Sequence, residues 1–460
     1  MKDYRFIAYE PDKPLELAPD IRKWLPEDHL ALFISDVVDS LDLREIAEEY
    51  LHLQGGHPAY HPSMMLKLLF YGYCVGIRSS RRIEQKTYED VAFRVLSCDS
   101  HPDHSRISDF RKRHLGAISR LFVQVLWICK EAGLVKLGFV ALDGTKIKAN
   151  ASKRKAMSYC RMVNKERELA REVEKLLQEA EALDEREDKK YGKNKRGDEL
   201  PQELRFREKR LEKIRDAKRA LEEEARREAK DNEIVDRDKK PPTGGDSGPS
   251  TIPDVEPNPK KQRNFTDPDS RIMLNSATKA FEQAYNAQAG VDCDSQVIVT
   301  ADVTQQANDK QQLLPMLEQI EENLGEIPDR VLADPGYFSE KNVESVGRSF
   351  TEPFIPRDRS KHSDAPEPSP HGRIPRDMSM ADRMLRKLKT KTGKAIYSKR
   401  KESVEPVFGQ IKQVRGIRAF LLRGLQKVKG EWKLICLTHN ILKLWRHLRL
   451  DDGRSAPVFG

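Results

Sequence analysis

The chain has 460 residues, 38% of them hydrophobic, which is enough for two or three domains with an apolar core. Lys and Arg number 83 against 74 Asp and Glu, and the net charge of +9 inclines the chain toward a polyanionic partner. No apolar stretch approaches membrane-spanning length, and six cysteines without a Cys-x-x-Cys pair exclude a zinc cage and a disulfide framework.

The start, Met1-Lys-Asp-Tyr-Arg, has no apolar signal core, so a soluble cytoplasmic protein with reduced, mostly buried thiols is expected. Residues 1–135 read as an all-α N-terminal domain. Apolar residues recur at helical spacing in Leu30-Ala-Leu-Phe-Ile-Ser-Asp-Val-Val and in Met64-Met-Leu-Lys-Leu-Leu-Phe. Gly76 breaks the pattern, and Ser79 and Ser80 offer a cap to a basic helix with Arg81, Arg82 and Lys86. Helix, glycine turn and basic helix make a helix-turn-helix candidate. A second basic run, with Arg106, Arg111, Lys112 and Arg113, leads into an apolar helix from Leu115 to Ala132. Two basic segments in one helical unit point to DNA contact, although solvated cations on a plain bundle account equally well for any single helix.

Over 136–152 the pattern changes to strands. Val140-Ala-Leu-Asp143 is expected to end at a tight Gly144 turn, with a second short strand to Lys148. Residues 153–235 are dense in charge, with Met162, Leu169, Val173, Leu176, Ala180 and Leu183 at alternating three- and four-residue steps. After a break at Gly192 to Pro201, Leu204, Leu211, Ile214 and Leu221 repeat the pattern. This is the seam of an antiparallel coiled-coil hairpin, with a structural or dimerisation role. Residues 236–275, rich in Pro, Gly, Ser and charge, read as a flexible linker.

Over 276–450, strands at Gln283 to Ala289 and Gln296 to Val303 form a hairpin turning at Asp292-Cys-Asp-Ser295. A helix from Leu313 to Leu324, a strand ending at Asp334, a short helix after Ser339 and a strand at Thr351-Glu-Pro-Phe-Ile-Pro follow. Helices run from Met378 to Leu450, and 451–460 is a tail. Three antiparallel strands followed by alternating helices and parallel strands is the layout of a ribonuclease H-like α/β catalytic domain. The coiled-coil hairpin is spliced in after its first strand.

Three carboxylates stand in settings suited to chemistry. Asp143 and Asp334 each end an apolar run, and Glu405 precedes Pro406 at what reads as the first turn of a helix. Lys412, seven residues on, returns to the face of Glu405, with Tyr397 and Arg400 just upstream. Carboxylates at the ends of two neighbouring strands, with a third on a helix, suit paired Mg2+ ions over a phosphodiester, and Mg2+ needs only oxygen ligands. Singly, strand-end Asp residues are mostly turn-formers and a Glu before Pro is mostly a helix-start charge. Their order and the Tyr/Arg/Glu/Lys cluster favour a site. Asp302, Asp309, Asp267, Asp269 and Glu402 compete, Asp302 most seriously with Asp334.

Three blocks carry a resemblance: Leu142-Asp143-Gly144-Thr145-Lys146, Ala333-Asp334-Pro335-Gly336-Tyr337, and Tyr397-x2-Arg400 leading to Glu405-x6-Lys412. In them the chain resembles bacterial insertion-sequence transposases with a DDE triad. The last block is similar to the Tyr-Arg-Glu-Lys signature of one large transposase group. The front half, through His57-Pro-Ala-Tyr-His-Pro-Ser-Met-Met and the run beginning at Arg106, is similar to that family's N-terminal domain. Four residues separate Arg400 from Glu405 where the signature has three, so Arg400 and Lys401 both stand for the cation.

The resemblance implies a two-metal-ion DNA transposase, bacterial and nucleoid-associated. Its N-terminal domain would bind terminal inverted repeats, and Asp143, Asp334 and Glu405 would hold two Mg2+ ions, with Mn2+ as a substitute. Cleavage at each transposon end would free a 3′-hydroxyl to attack target DNA, within a homodimer or higher assembly. Lys412, Arg415, Arg418, Arg423, Lys427 and Lys429 would follow backbone phosphates. Two alternatives fit part of the pattern: a ribonuclease H-like nuclease without strand transfer, and a non-catalytic DNA-binding coiled-coil protein.

Overall fold

A computed structural model describes residues 20–50, 59–191, 202–237, 255–275, 279–358, 369–375 and 377–450. The break at Gly192 to Pro201, the Pro/Gly/Ser run from Lys239 to Ser250, His57 and the tail 451–460 lie outside the described residues.

The front of the chain forms helices α1 (Leu30–Ser40), α2 (Arg44–Glu48), α3 (Pro62–Cys74), α4 (Ser80–Glu89), α5 (Val91–Leu96), α6 (His104–Arg113) and α7 (Leu115–Glu131). Their apolar stripes face inward at helical spacing, as Ala31, Ile34, Val37 and Val38 do in α1. Buried residues run the length of α3, from Ser63 to Cys74, so it is the central helix of the bundle. Gly76, expected as a turn glycine, has φ +80° and a second reason to lack a side chain. A Cβ there would stand 2.7 Å from the carbonyl oxygen of Arg415.

Next come β1 (Val140–Lys148), β2 (Ala156–Ser158), α8 (Tyr159–Tyr191), α9 (Gln202–Arg237), β3 (Gln262–Asn264), β4 (Arg271–Leu274), β5 (Phe281–Asp292) and β6 (Ile298–Thr304). The chain continues with α10 (Leu313–Leu324), β7 (Arg330–Ala333), α11 (Glu340–Arg348), β8 (Glu352–Phe354), α12 (Met380–Lys389), α13 (Lys391–Gly409) and α14 (Leu425–Leu450). The main sheet runs β4-β5-β1-β7-β8, with β6 also on the edge of β5 away from β1. β5 is antiparallel to β1, β4 and β6, whereas β7 is parallel to β1 and β8 to β7.

Two expectations are corrected here. First, β1 is one continuous strand, paired with β5 from Val140↔Asp292 to Lys148↔Ala284, so no turn exists at Gly144. The glycine marks a close approach instead. A Cβ at Gly144 would stand 2.5 Å from Gln288 Nε2, 2.7 Å from Asp309 Oδ1 and 2.9 Å from Asn286 Oδ1. Second, the linker expected over 236–275 is ordered structure from residue 255. β3 pairs with β2, β4 joins the main sheet, and Asn264, Asp267 and Ser270 between them are buried. Asp267 accepts from Tyr285 OH (2.8 Å) and the Gly424 N–H (3.1 Å), and Asp269 accepts from the Leu425 N–H (2.9 Å). A polar Asp-Pro-Asp segment reads as linker by composition, yet these carboxylates satisfy donors at the start of α14.

The helices α8 and α9 pack antiparallel along Met162, Leu169, Leu211, Ile214, Ala217 and Leu221, with Val173 partly buried beside them. Arg207 pairs with Glu172 and Lys218 with Glu166, both at 2.9 Å, along the flanks.

A single core unites the front helices with the sheet. Its pivot is α14, buried on all sides through Trp432, Leu434, Ile435, Cys436, Leu437, Ile441 and Leu444, and packed on α7, α3 and β6. The helix is therefore an internal element, and no described helix is long and apolar enough to cross a membrane. Arg78, between α3 and α4, reaches Glu431 Oε1 at 3.2 Å and the Ala419 carbonyl at 3.0 Å. Glu431, fully buried, also accepts the N–H groups of Leu421 and Leu422 at 3.0 and 2.9 Å. Cys74, Cys129 and Cys436 are buried, but Cys98 and Cys160 are exposed, so burial holds for only part of the thiols.

Glu431→Ala leaves the N–H groups of Leu421 and Leu422 without their acceptor and takes the carboxylate from Arg78. It is expected to cost about 3–5 kcal/mol, read as a lower urea midpoint, with Glu431→Gln losing less.

Candidate active site

The site lies where β1 outruns its neighbour. β7 pairs with β1 only over Val140↔Val331 to Leu142↔Ala333, so from Asp143 onward that edge of β1 is open. Pro335 cannot donate to a ladder, and after Ala333 the chain turns into a short 3-10 helix, Pro335–Tyr337. Asp334 caps that turn, its Oδ1 accepting the Gly336 N–H at 2.7 Å. Further down, the edge closes again: the Lys148 N–H donates to Arg418 O at 3.2 Å and Phe420 N–H to Lys148 O at 2.9 Å. A window in the sheet edge results, with Asp143 and Asp334 at its upper rim.

Asp143 Oδ1 accepts from its neighbour's backbone N–H at 2.8 Å, and Oδ2 from Arg400 Nη1 at 3.0 Å. Arg400 comes from α13, and its buried Nε has no hydrogen-bond partner among the described residues. Tyr397 OH donates to Ala333 O at 3.4 Å. Lys412 Nζ donates to Thr145 Oγ1 and, at 3.1 Å, to the Lys146 carbonyl inside the window. Of the two candidate cations, Arg400 enters the site, while Lys401 is exposed. Beside the window, a cleft of about 650 Å³ is lined by Asp334, Tyr397 and Arg400 together with Lys389, Lys394 and Lys401.

Glu405 departs from expectation. It and Pro406 lie inside α13, not at its first turn. Pro406 has no N–H for the Glu402 carbonyl, and Gln296 Nε2 supplies that bond at 3.0 Å, which keeps the helix intact. The next turn, Gln410–Val414, is π-helical and carries Lys412. Glu405 is exposed and forms no hydrogen bond or ion pair with the described residues. On a regular helix it is turned about 140° from Arg400.

Another carboxylate takes its place beside the two aspartates. Asp309, ranked among the competitors, accepts from Asn286 Nδ2 (2.6 Å) and Gln288 Nε2 (2.7 Å) and lies against Gly144 and Gly336. The overlooked signal was a pair of amides at alternate positions of β5, within an alanine-rich strand and fully buried. Asp302, the main rival, is tied to Lys429 at 2.9 Å, and Glu402 is exposed.

Two of the cations expected on DNA are internal. Arg111 is buried, donating to Tyr73 OH (3.2 Å) and Arg78 O (2.9 Å), and Arg415 is buried against Thr438 Oγ1 (2.9 Å) and Ile435 O (3.2 Å). A basic run does not reveal which of its members sits on the inward side of a turn. Arg81, Arg82, Arg106, Lys112 and Arg113 are exposed, and Lys86 is half-buried beside Glu89 at 3.5 Å. Arg418 is exposed but folded onto Gln413, and Arg423 donates to Asn150 O at 2.8 Å.

Burial pushes the Asp143 carboxyl up to about 6. The charges of Asp334 and Asp309 add to the rise, while Arg400 and the Gly144 N–H oppose it. Burial also lowers Lys146 and Lys412, against the pull of Asp143 on both. The Tyr337 and Tyr397 phenols are raised, first by burial, and stay protonated.

Because Asp143 is raised from an ordinary 3.8 to about 6, its neutral form favours the fold. That contribution is complete below pH about 4 and lost as pH rises through about 6, roughly 3 kcal/mol in all. Thermal melts of the metal-free protein are therefore expected to fall between pH 4 and 7, with a flatter profile in Asp143→Asn.

Comparison with known families places two matches on this framework. Residues 19–113 match the family described as Transposase domain (DUF772), and residues 372–445 match the family Transposase DDE domain. Searches of curated proteins and of solved structures return no match. The first match covers α1 to α6, and the second covers α12, α13, the π turn and most of α14. The front helices are thus similar to one transposase domain, and the segment that carries Arg400 and Lys412 is similar to a transposase DDE domain.

Proposed function

We propose that the chain cuts DNA at the terminal inverted repeats of its element and joins the freed 3′-hydroxyls to target DNA. The observation that carries this is the pairing of Asp143 with Asp334 on neighbouring parallel strands, with Arg400 and Lys412 brought to them from the α13 segment. The strand order β6-β5-β1-β7-β8 supports a ribonuclease H-like sheet, with antiparallel pairing on one side of β1 and parallel on the other. The antiparallel seam of α8 and α9 supports an inserted coiled-coil hairpin. Exposed Arg81, Arg82, Arg106, Lys112 and Arg113 on α4 and α6 support DNA binding by the front helices. Two transposon ends handled together call for a homodimer or higher assembly.

The donor set fits a divalent cation. Asp143 and Asp334, near Asp309, offer oxygen ligands in a half-buried place where burial first, and then the charges of the other two, raise Asp143. Asp143, Asp334 and, by the family signature, Glu405 would hold Mg2+ or Mn2+. When bound, such ions activate an oxygen nucleophile and stabilise the leaving oxyanion. The chain's own residues do the rest. Arg400 offsets the charge of Asp143 and keeps one N–H for a phosphate oxygen. Lys412, steered by Thr145, holds a positive charge beside the scissile group. Tyr397 and the basic lip of the neighbouring cleft orient the strand.

The test is cleavage and strand transfer on labelled DNA bearing the element's ends, with Mg2+ or Mn2+. Wild type is expected to cut and join only with metal. Asp143→Ala, Asp334→Ala and Glu405→Ala should each bind DNA normally while losing roughly 10³-fold or more in rate. Cutting without joining would leave a nuclease, and binding without cutting would leave a non-catalytic DNA-binding protein.

A further inference from the structure

We infer that Asp309 is a fourth carboxylate of the catalytic centre and takes a divalent cation together with Asp334. This rests on the metal-centre reading above, and it follows from how tightly the fold specifies one oxygen of Asp309 and where it leaves the other.

Asp309 stands at the start of the short 3-10 turn Lys310–Gln312 after β6. Its Oδ1 accepts two side-chain amides, Asn286 at 2.6 Å and Gln288 at 2.7 Å, both fully buried on β5. Gln288 cannot turn over, because its Oε1 accepts from Tyr337 OH. Buried amides are costly unless bonded, so two of them converging on one carboxylate oxygen fix that group in place. The nearest cation, Lys146 Nζ, is 4.0 Å from Oδ1 and already donates to the Ala307 carbonyl at 2.8 Å.

The second oxygen lies beside Gly336, as does an oxygen of Asp334. Oδ2 is 3.2 Å from the place a Cβ on Gly336 would occupy, and Asp334 Oδ1 is 2.8 Å from that same place. An oxygen of each carboxylate thus borders the space of one absent methyl group. Like charges at such range repel, and a divalent cation shared between them removes the repulsion. Gly144, the residue after Asp143, meets Asp309 in the same way, its Cβ position lying 2.7 Å from Oδ1. A side chain at the glycine following either catalytic aspartate motif would strike Asp309.

An independent observation points to a ligand here. Asn286 Oδ1, on a residue with no exposure, has no hydrogen-bond partner among the described residues and lies 2.9 Å from the Gly144 Cβ position. It is an unused acceptor on the wall that holds Asp309, suited to the hydration shell that Mg2+ keeps. Asp302, by contrast, is neutralised by Lys429 and carries no such surroundings.

The experiment is Mn2+ binding by the full-length protein without DNA, measured by the paramagnetic resonance of free Mn2+ and by the Mn2+-induced rise in melting temperature. Asp309→Asn keeps an acceptor for both amides while removing the charge, and Gly336→Ala fills the gap between the carboxylates. Both should weaken Mn2+ binding about tenfold or more, with Asp302→Asn unchanged. Melts in EDTA check that each variant folds, and if Asp309→Asn does not, Gly336→Ala decides. Wild-type affinity in the folded variants, alongside loss in Asp143→Asn, would overturn the role of Asp309 alone. Failure of wild type to bind Mn2+ would overturn the metal centre itself and this inference with it.

Discussion

The strand β1 extends past β7, and this mismatch of lengths creates the site. Had β7 continued, its ladder would have covered the edge of β1 beyond Leu142. Pro335 prevents that by ending the ladder, and Asp334 is left beside Asp143 as the chain turns away. What surrounds the pair follows from placing two acids there. Arg400 and Lys412 bring opposite charge, and the glycines at 144 and 336 keep side chains out of the space the carboxylates need.

The same crowding explains why Asp143 is raised even with Arg400 at 3.0 Å. A guanidinium compensates one carboxylate, whereas the charges of Asp334 and Asp309 also act on Asp143, which is mostly screened from water. Asp302, by contrast, stands in a simple ion pair with Lys429 at 2.9 Å.

The front helices are not a separate bead on the chain. Arg78 binds the carbonyl of Ala419 and the buried Glu431, and Gly76 packs against Arg415, all within the segment that follows the π turn. That segment also closes the lower end of the window at Lys148. The front helices are thus joined through these contacts to the strand that holds Asp143. The shared core around α14 makes such coupling cheap, because neither half has an apolar face to expose by moving apart.

Much of this was legible because hydrophobic periodicity reports burial directly: the β5–β6 hairpin, the helix from Leu313 to Leu324 and the strand ending before Asp334 all fall where apolar spacing put them. What escaped depends on partners distant in sequence. Gly144 resembles a turn until Gln288 and Asp309 are seen against it, and Asp267 resembles a linker acid until α14 arrives. That Glu405 and Lys412 do not share one helix face has a geometric reason. Placing Glu405 on the face of Lys412 assumed seven residues of regular helix. The interval instead holds a proline, whose orphaned carbonyl is met by Gln296, and then a π turn that widens the helix and swings Lys412 alone into the window. A helix needs such a bulge only where regular geometry would aim a side chain wrongly. Its position, immediately before the loop that closes the window, argues that the placement of Lys412 is the feature the segment is built to secure.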